Sequence, residues 1–292
     1  MKGPDQKWFY LIFLSLIWGS SFILIKKALI GFTPIQLGGL RILLAASFLL
    51  LLGFKSLKAI RVMDWKWIVI AGLCSSFFPP FLFALAQTEI DSGVTSIFNS
   101  VAPLCTSLVG VLLFGLTVTG KQLLGVVIGF FGTIILLFAG MQFRPDQNYW
   151  YAAFIIISAL GYAFNINIIK KHLAHLSPLA VTTGSFVVAV VPALAMLMVN
   201  GVLIDFWTDV KMRMAIWFLL ALAIVGTALA NMLFNKLIHI SSPVFAASVT
   251  YTIPLVAVLW GVWDGEVINI YQILGGCVIL IGVWMVNKRR RN

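Results

Sequence analysis

Apolar residues in this chain come in ten long blocks that are hydrophobic on every side, not in the alternating or one-faced patterns of a water-soluble fold. The blocks cover 8–29, 34–54, 66–87, 92–115, 121–140, 148–169, 177–199, 214–237, 242–263 and 268–287. Each is long enough to cross roughly 30 Å of hydrocarbon at about 1.5 Å per helical residue. Charges and helix breakers separate them, among them Pro34, Glu89 with Asp91, Lys121, Arg144-Pro145-Asp146, Pro178, Pro243 and Asp264 with Glu266. A helix satisfies its own backbone in lipid, so the pattern predicts an all-α integral membrane protein of ten transmembrane helices.

Polar residues inside the blocks fall at helical spacing. Trp18 and Ser21 stand three apart on the first block, and Thr95, Asn99 and Thr106 share a face of the fourth. Ser158, Tyr162 and Asn165 line one face of the sixth, and Thr227, Asn231 and Asn235 one face of the eighth. An amide turned toward lipid would leave hydrogen bonds unmade, so these residues are predicted to point inward. There they either bond helix to helix or line a wet cavity. The third block is interrupted by Phe77-Phe78-Pro79-Pro80-Phe81. Proline removes a backbone donor and bends the helix, which makes Pro79 and Pro80 hinge candidates, against a kink simply packed by its neighbours. Pro103 and Pro254 pose the same choice at matched depth.

The matched depth comes from a repeat. Pro103-Leu104, Gly110, Gly115, Gln122, Leu124, Gly125 and Gly132 recur as Pro254-Leu255, Gly261, Gly265, Gln272, Leu274, Gly275 and Gly282. Earlier in each half, Trp18 meets Tyr162, Lys26-Lys27 meet Lys170-Lys171, and Pro34 meets Pro178, always 144 residues apart. Ten spans then divide into halves 1–146 and 147–292 of five helices each. Five is odd, so the second half enters from the opposite side, and the expectation is two inverted five-helix repeats. Gly125 and Gly132 lie seven apart, as do Gly275 and Gly282, which puts each pair on one face two turns apart. Glycine there admits a close helix neighbour, so these four are predicted to be packing positions.

Composition fixes the solvent and charge the orientation. The chain is 61% hydrophobic and 10% charged, with a mean hydropathy of +1.06. That excess of apolar surface belongs in lipid, and no cleavable signal peptide is evident. With the N-terminus inside, fourteen of the twenty Lys and Arg fall on the cytoplasmic side, including Lys288-Arg289-Arg290-Arg291. Five fall on the other side, and Arg41 lies within a span. The bias predicts both termini in the cytoplasm of a multi-pass plasma (inner) membrane protein. The net charge of +11 is scattered through short loops, which argues against nucleic acid as a partner. Cys74, Cys105 and Cys277 lie in apolar segments without metal spacing, and His172 and His175 lack a third ligand, so no metal and no cofactor are expected.

Ten helices, two inverted halves and the block Pro254, Glu266, Gln272, Gly275, Gly282 resemble the EamA-type branch of the drug/metabolite transporter superfamily. The resemblance covers essentially the whole chain. The first half departs from it in carrying Leu116 where the second carries Glu266, and Arg41 in the second helix has Ser185 as its counterpart. The resemblance implies passage of small metabolites, often outward.

Substrate contact is therefore expected from Trp18, Ser21, Arg41, Phe77, Phe81, Asn99, Tyr162, Asn165, Asn231 and Tyr251, in a central cavity on the repeat axis. Arg41 either snorkels or pairs, or it contacts a substrate carboxylate. No Asp or Glu lies deep in a span, which favours a facilitator or exchanger over a proton-coupled antiporter, with Glu266 the one coupling candidate. An aromatic site with amides and few charges suits amino acids and other zwitterions, or nucleobase-like solutes. Nucleotide sugars would call for clustered Lys and Arg. A membrane enzyme would need a nucleophile with its base, or a metal cluster, at membrane depth, and the sequence offers neither. A scaffold without transport is the remaining class. The expected partners are a small-molecule substrate and the bilayer, around a monomer or weak homodimer.

Overall fold

The structure, a computed structural model, describes residues 4–141, 148–199, 209–263 and 270–287. Glu266, Arg144 and the 288–291 basic run lie outside the described residues. Every regular element among the described residues is helical. Helix α1 spans Pro4–Ala28 and α2 Pro34–Gly53, followed by a 3-10 turn, Phe54–Ala59. Helices α3 (Val62–Gly72) and α4 (Phe78–Ala86) form one rod joined by a π turn, Leu73–Phe77. Helices α5 (Ser92–Phe98) and α6 (Ala102–Phe114) are joined by a 3-10 turn, Asn99–Val101. Then come α7 (Gly120–Met141), α8 (Ala152–His172) and α9 (Pro178–Val199). A second π turn, Ile224–Leu229, joins α10 (Val210–Ala223) to α11 (Ala230–Ile240). Helices α12 (Pro243–Ala247), α13 (Val249–Trp263) and α14 (Ile270–Asn287) complete the chain. Seven of the helical rods among the described residues are long and apolar enough to cross a membrane, and three more are apolar but shorter.

Local chemistry sets the ends. Thr33 caps α2, its hydroxyl accepting the Gln36 N–H while the Gln36 side chain accepts the Thr33 N–H, and Pro34 follows in the first turn. Ser177 and Pro178 begin α9 in the same way, as do Ser242 and Pro243 at α12. Gly115, at φ 67°, ends α6 in the left-handed conformation, and the Leu116 N–H turns back to Gly110 O at 2.9 Å.

The helices pack in pairs that join the first part of the chain to the second: α2 on α9, α1 on α13, α6 on α8, and α7 on α14. The last pair touches backbone to backbone. A Cβ on Gly132 would lie 2.9 Å from Gly275 O, and one on Gly282 would lie 2.6 Å from Gly125 O. The four glycines thus lie against one another inside a single chain, where close approach multiplies dispersion contacts. The outward faces carry Leu112, Phe131, Trp217 and Leu280, exposed as a lipid-facing surface requires.

Candidate functional site

The site is organised by the second π turn. In a regular helix a threonine hydroxyl reaches back four residues to a carbonyl. Within Ile224–Leu229 the register is one residue wider, and Thr227 Oγ1 donates to Leu222 O, five residues back, at 2.7 Å. Its lone pair then accepts the Nε–H of Arg41, which reaches across from α2, at 2.6 Å. One residue earlier, Gly226 O accepts the indole N–H of Trp18 at 3.1 Å. A widened turn leaves carbonyls without helical donors, and here α1 supplies one. Asn231 Nδ2 donates back to Thr227 O at 2.8 Å, which leaves its side-chain oxygen to face elsewhere. Gly226 permits the close approach of α1, since a Cβ there would sit 2.6 Å from Ser21 Oγ.

Trp18, Ser21, Arg41 and Asn231, which this turn holds or meets, border a cavity of about 70 Å³ between α1, α2, α4, α8, α11 and the turns that start α6 and α13. Polar positions come from Trp18, Ser21, Arg41, Asn99, Tyr162, Asn165, Asn231 and Thr250. Phe22, Phe83 and Phe234 give it an aromatic wall, with Trp18 edge-on to Phe234 at 5.0 Å. Arg41 lines the cavity and, among the described residues, forms no ion pair with an acid. Among the described residues its guanidinium bonds only through Nε, and no carboxylate lines the cavity. Asn99 Oδ1 is buried beside it without a hydrogen-bond partner. A half-buried cation and an unpaired acceptor lining one cavity favour a ligand that brings both a negative and a donor group.

The structure gathers Trp18, Ser21, Arg41, Asn99, Tyr162, Asn165 and Asn231 around this cavity and places the other three expected contacts elsewhere. Phe77 and Phe81 stack edge to face at 5.2 Å within a core shared with Ile42 and Phe186, and Phe81 covers Gly38. Tyr251 is fully buried, donates to Val126 O at 2.7 Å, and lays its ring over Gly129. The polar stripes divide likewise. Asn235 donates to Thr182 Oγ1 at 2.8 Å, a contact between helices, while Ser158 donates to Phe154 O of its own helix at 2.9 Å. Of the prolines, Pro79 and Pro80 follow the first π turn, Pro103 follows the 3-10 turn into α6, and Pro254 lies inside α13. His172 stacks on Trp67 with ring centroids 3.7 Å apart, and His175 meets Asp64 at 3.0 Å. Thr227, Phe22, Phe83 and Phe234 were not among the expected contacts. For Thr227 the available signal was its place in a polar stripe with Asn231.

Comparison with known proteins bears on the chain as a whole. A family model described as the EamA-like transporter family matches it twice, over residues 6–138 and 149–288. An uncharacterized inner membrane transporter of Escherichia coli, YedA, is 26% identical over 94% of this chain and 88% of its own length. A probable amino-acid metabolite efflux pump of Salmonella typhimurium is 24% identical over 95% of this chain and 93% of its own. A solved crystal structure superposes with a TM-score of 0.74 at 15% identity, covering 98% of this chain and 97% of that one, which is a likeness of fold.

Proposed function

Because the chain belongs to the EamA-like transporter family, we propose that it carries small carboxylate-bearing metabolites, amino acids foremost, across the inner membrane by alternating access. Ten spans form two five-helix halves, 1–146 and 147–292, inserted in opposite senses with both termini cytoplasmic. The twofold family match supports this reading, as do the two π turns, which stand 151 residues apart in register with the Pro103 and Pro254 repeat. The pump-like name of one relative agrees with a metabolite substrate and an outward direction.

The observation that carries the substrate class is the Arg41 guanidinium, turned into the cavity without an acidic partner. Held there, it attracts a carboxylate. Asn99 Oδ1 and Asn231 accept hydrogen bonds from an ammonium, and the faces of Trp18 and Phe234 stabilise that cation and an apolar side chain. With no acid lining the cavity among the described residues, facilitated diffusion or exchange fits better than proton coupling. The cavity of about 70 Å³ is small for a metabolite, which enters as the helices part.

Counterflow in proteoliposomes tests this with labelled L-leucine, competed by L-phenylalanine, L-leucinamide and a nucleotide sugar. The two amino acids are expected to be carried and the amide to compete at least tenfold more weakly, the loss of one charge-assisted pair. Arg41→Gln removes that preference. If leucine and phenylalanine are ignored, or Arg41→Gln leaves the preference intact, the carboxylate reading fails.

A further inference from the structure

We propose that Thr227 is a positioning residue that sets the specificity of the cavity, an inference that rests on the carboxylate reading above. A hydroxyl has one hydrogen and two lone pairs. At Thr227 the hydrogen is committed to Leu222 O, so the oxygen facing Arg41 is an acceptor and nothing else. It takes Nε, the inner donor of the guanidinium fork, and leaves the two outer nitrogens for a ligand. Fixing one edge of a planar fork fixes the direction of the other, which is what a paired approach to a carboxylate requires. Leu222 O is within reach only because the π turn moves the hydroxyl one residue around the helix. The wide turn thus converts a packing threonine into the anchor of the Arg41 guanidinium.

Thr227→Val keeps the shape and removes the acceptor. In leucine counterflow its KM is expected to rise about tenfold with kcat within about twofold, while competition by L-leucinamide is unchanged. Thr227→Ser restores the leucine KM. Thr227→Ala serves in place of the valine variant if that one fails to insert. Should the hydroxyl-free variants keep their preference for leucine over leucinamide while Arg41→Gln loses it, Thr227 has no such role and the carboxylate reading survives. Should Arg41→Gln also keep the preference, the failure belongs to that reading instead.

The two ends of the bundle carry an independent inference. Lys170, near the end of α8, donates to Ile238 O at 3.0 Å, His239 O at 3.2 Å and Ser241 O at 2.6 Å. It holds the last carbonyls of α11 and closes that end. Its counterpart 144 residues earlier is Lys26, near the end of α1, and the counterparts of the three acceptors 151 residues earlier are Gln87, Thr88 and Ile90. Lys26 is exposed and lines an open cleft of about 530 Å³ together with Gln87 and Thr88, and both amide atoms of Gln87 are buried without partners. We infer that the lysines are alternating latches: Lys170 is closed in this conformation, and Lys26 closes onto the Gln87–Ile90 carbonyls when the other end opens.

The test is maleimide labelling of Ala247→Cys, a cavity-wall position, in a variant whose three native cysteines are replaced and which purifies as a monodisperse species. The label is applied from the side of the membrane on which Lys170 lies. Lys170→Met is expected to raise the labelling rate several-fold and Lys26→Met to lower it. Lys170→Arg, which keeps a donor, stays near the parent and covers a misfolded methionine variant. Rates that move together, or not at all, overturn the latches.

Discussion

The two π turns occupy matching places in the chain and do opposite work. Leu73–Phe77 lies against α8 and α9, and Ile224–Leu229 against α1 and α2. The first keeps its polar groups to itself. Ser75 donates to Ala71 O at 2.8 Å and lies 3.3 Å from Ser76, while Gly161 and Gly72 bring neighbouring backbone hard against the turn. The second opens outward: Gly226 and Thr227, at the positions of Ser75 and Ser76, bond to Trp18 and Arg41 from other helices. The residue opposite decides which. It is Ser185 beside the first turn and Arg41 beside the second. One backbone device therefore serves as a dry joint or as the floor of a cavity, according to the side chain that faces it.

The largest way to break this contrast is to make the dry turn face a charge. Ser185→Arg puts a guanidinium beside the packed Gly72 backbone, at a cost on the order of 3 kcal/mol by insertion scales. Loss of most folded protein is expected, read as the monodisperse fraction in detergent. Normal yield would mean that the first turn has polar space too. Next is Gly161→Ala. Its Cβ would fall far inside contact distance of Cys74 O, a backbone atom that cannot rotate away. Overpacking of this kind costs about 2 kcal/mol, seen as a drop in melting temperature. Gly226→Ala meets the Ser21 hydroxyl and the tip of the Leu222 side chain, both of which can turn, so its cost in stability is smaller and its effect falls on leucine exchange.

Much of this was legible in the sequence because lipid imposes strict rules. Blocks such as 34–54 and 177–199 correspond to α2 and α9 within a few residues, since Thr33-Pro34 and Ser177-Pro178 are unambiguous starts. Trp18, Asn99, Tyr162 and Asn231 gather at one cavity because polar side chains in lipid have nowhere else to go. The rings of Phe81 and Tyr251 gave no such guidance. Phe81 and Tyr251 are apolar bodies that serve equally as wall or as filler, and the structure uses both as filler, over Gly38 and Gly129. The second π turn was invisible for a different reason: Ile224–Leu229 contains no proline, and a widened turn without one has no local signature. Only its register with the Leu73–Phe77 turn gives it away.

Trp18→Phe tests what the second turn owes to α1. It removes the donor to Gly226 O and keeps the ring against Phe234, leaving a buried carbonyl unpaired at a cost of about 1 to 2 kcal/mol. Hydrogen exchange across 224–229 should quicken several-fold while 73–77 is unchanged; equal change in both would deny the turns their separate supports.

The smallest effect is expected at the residue that looked most disruptive. Pro79 lies two residues after the first π turn, yet its counterpart 151 residues later is Ala230, and the turn before Ala230 is just as wide. The wide turn therefore does not depend on a missing N–H. Pro79→Ala gives up a small part of a buried ring, about 1 kcal/mol, and should leave both the slow exchange of 73–77 and leucine counterflow in place. If instead the 73–77 amides acquire the protection of a regular helix, the proline made the first turn, and the likeness of the two turns would have separate causes in the two halves.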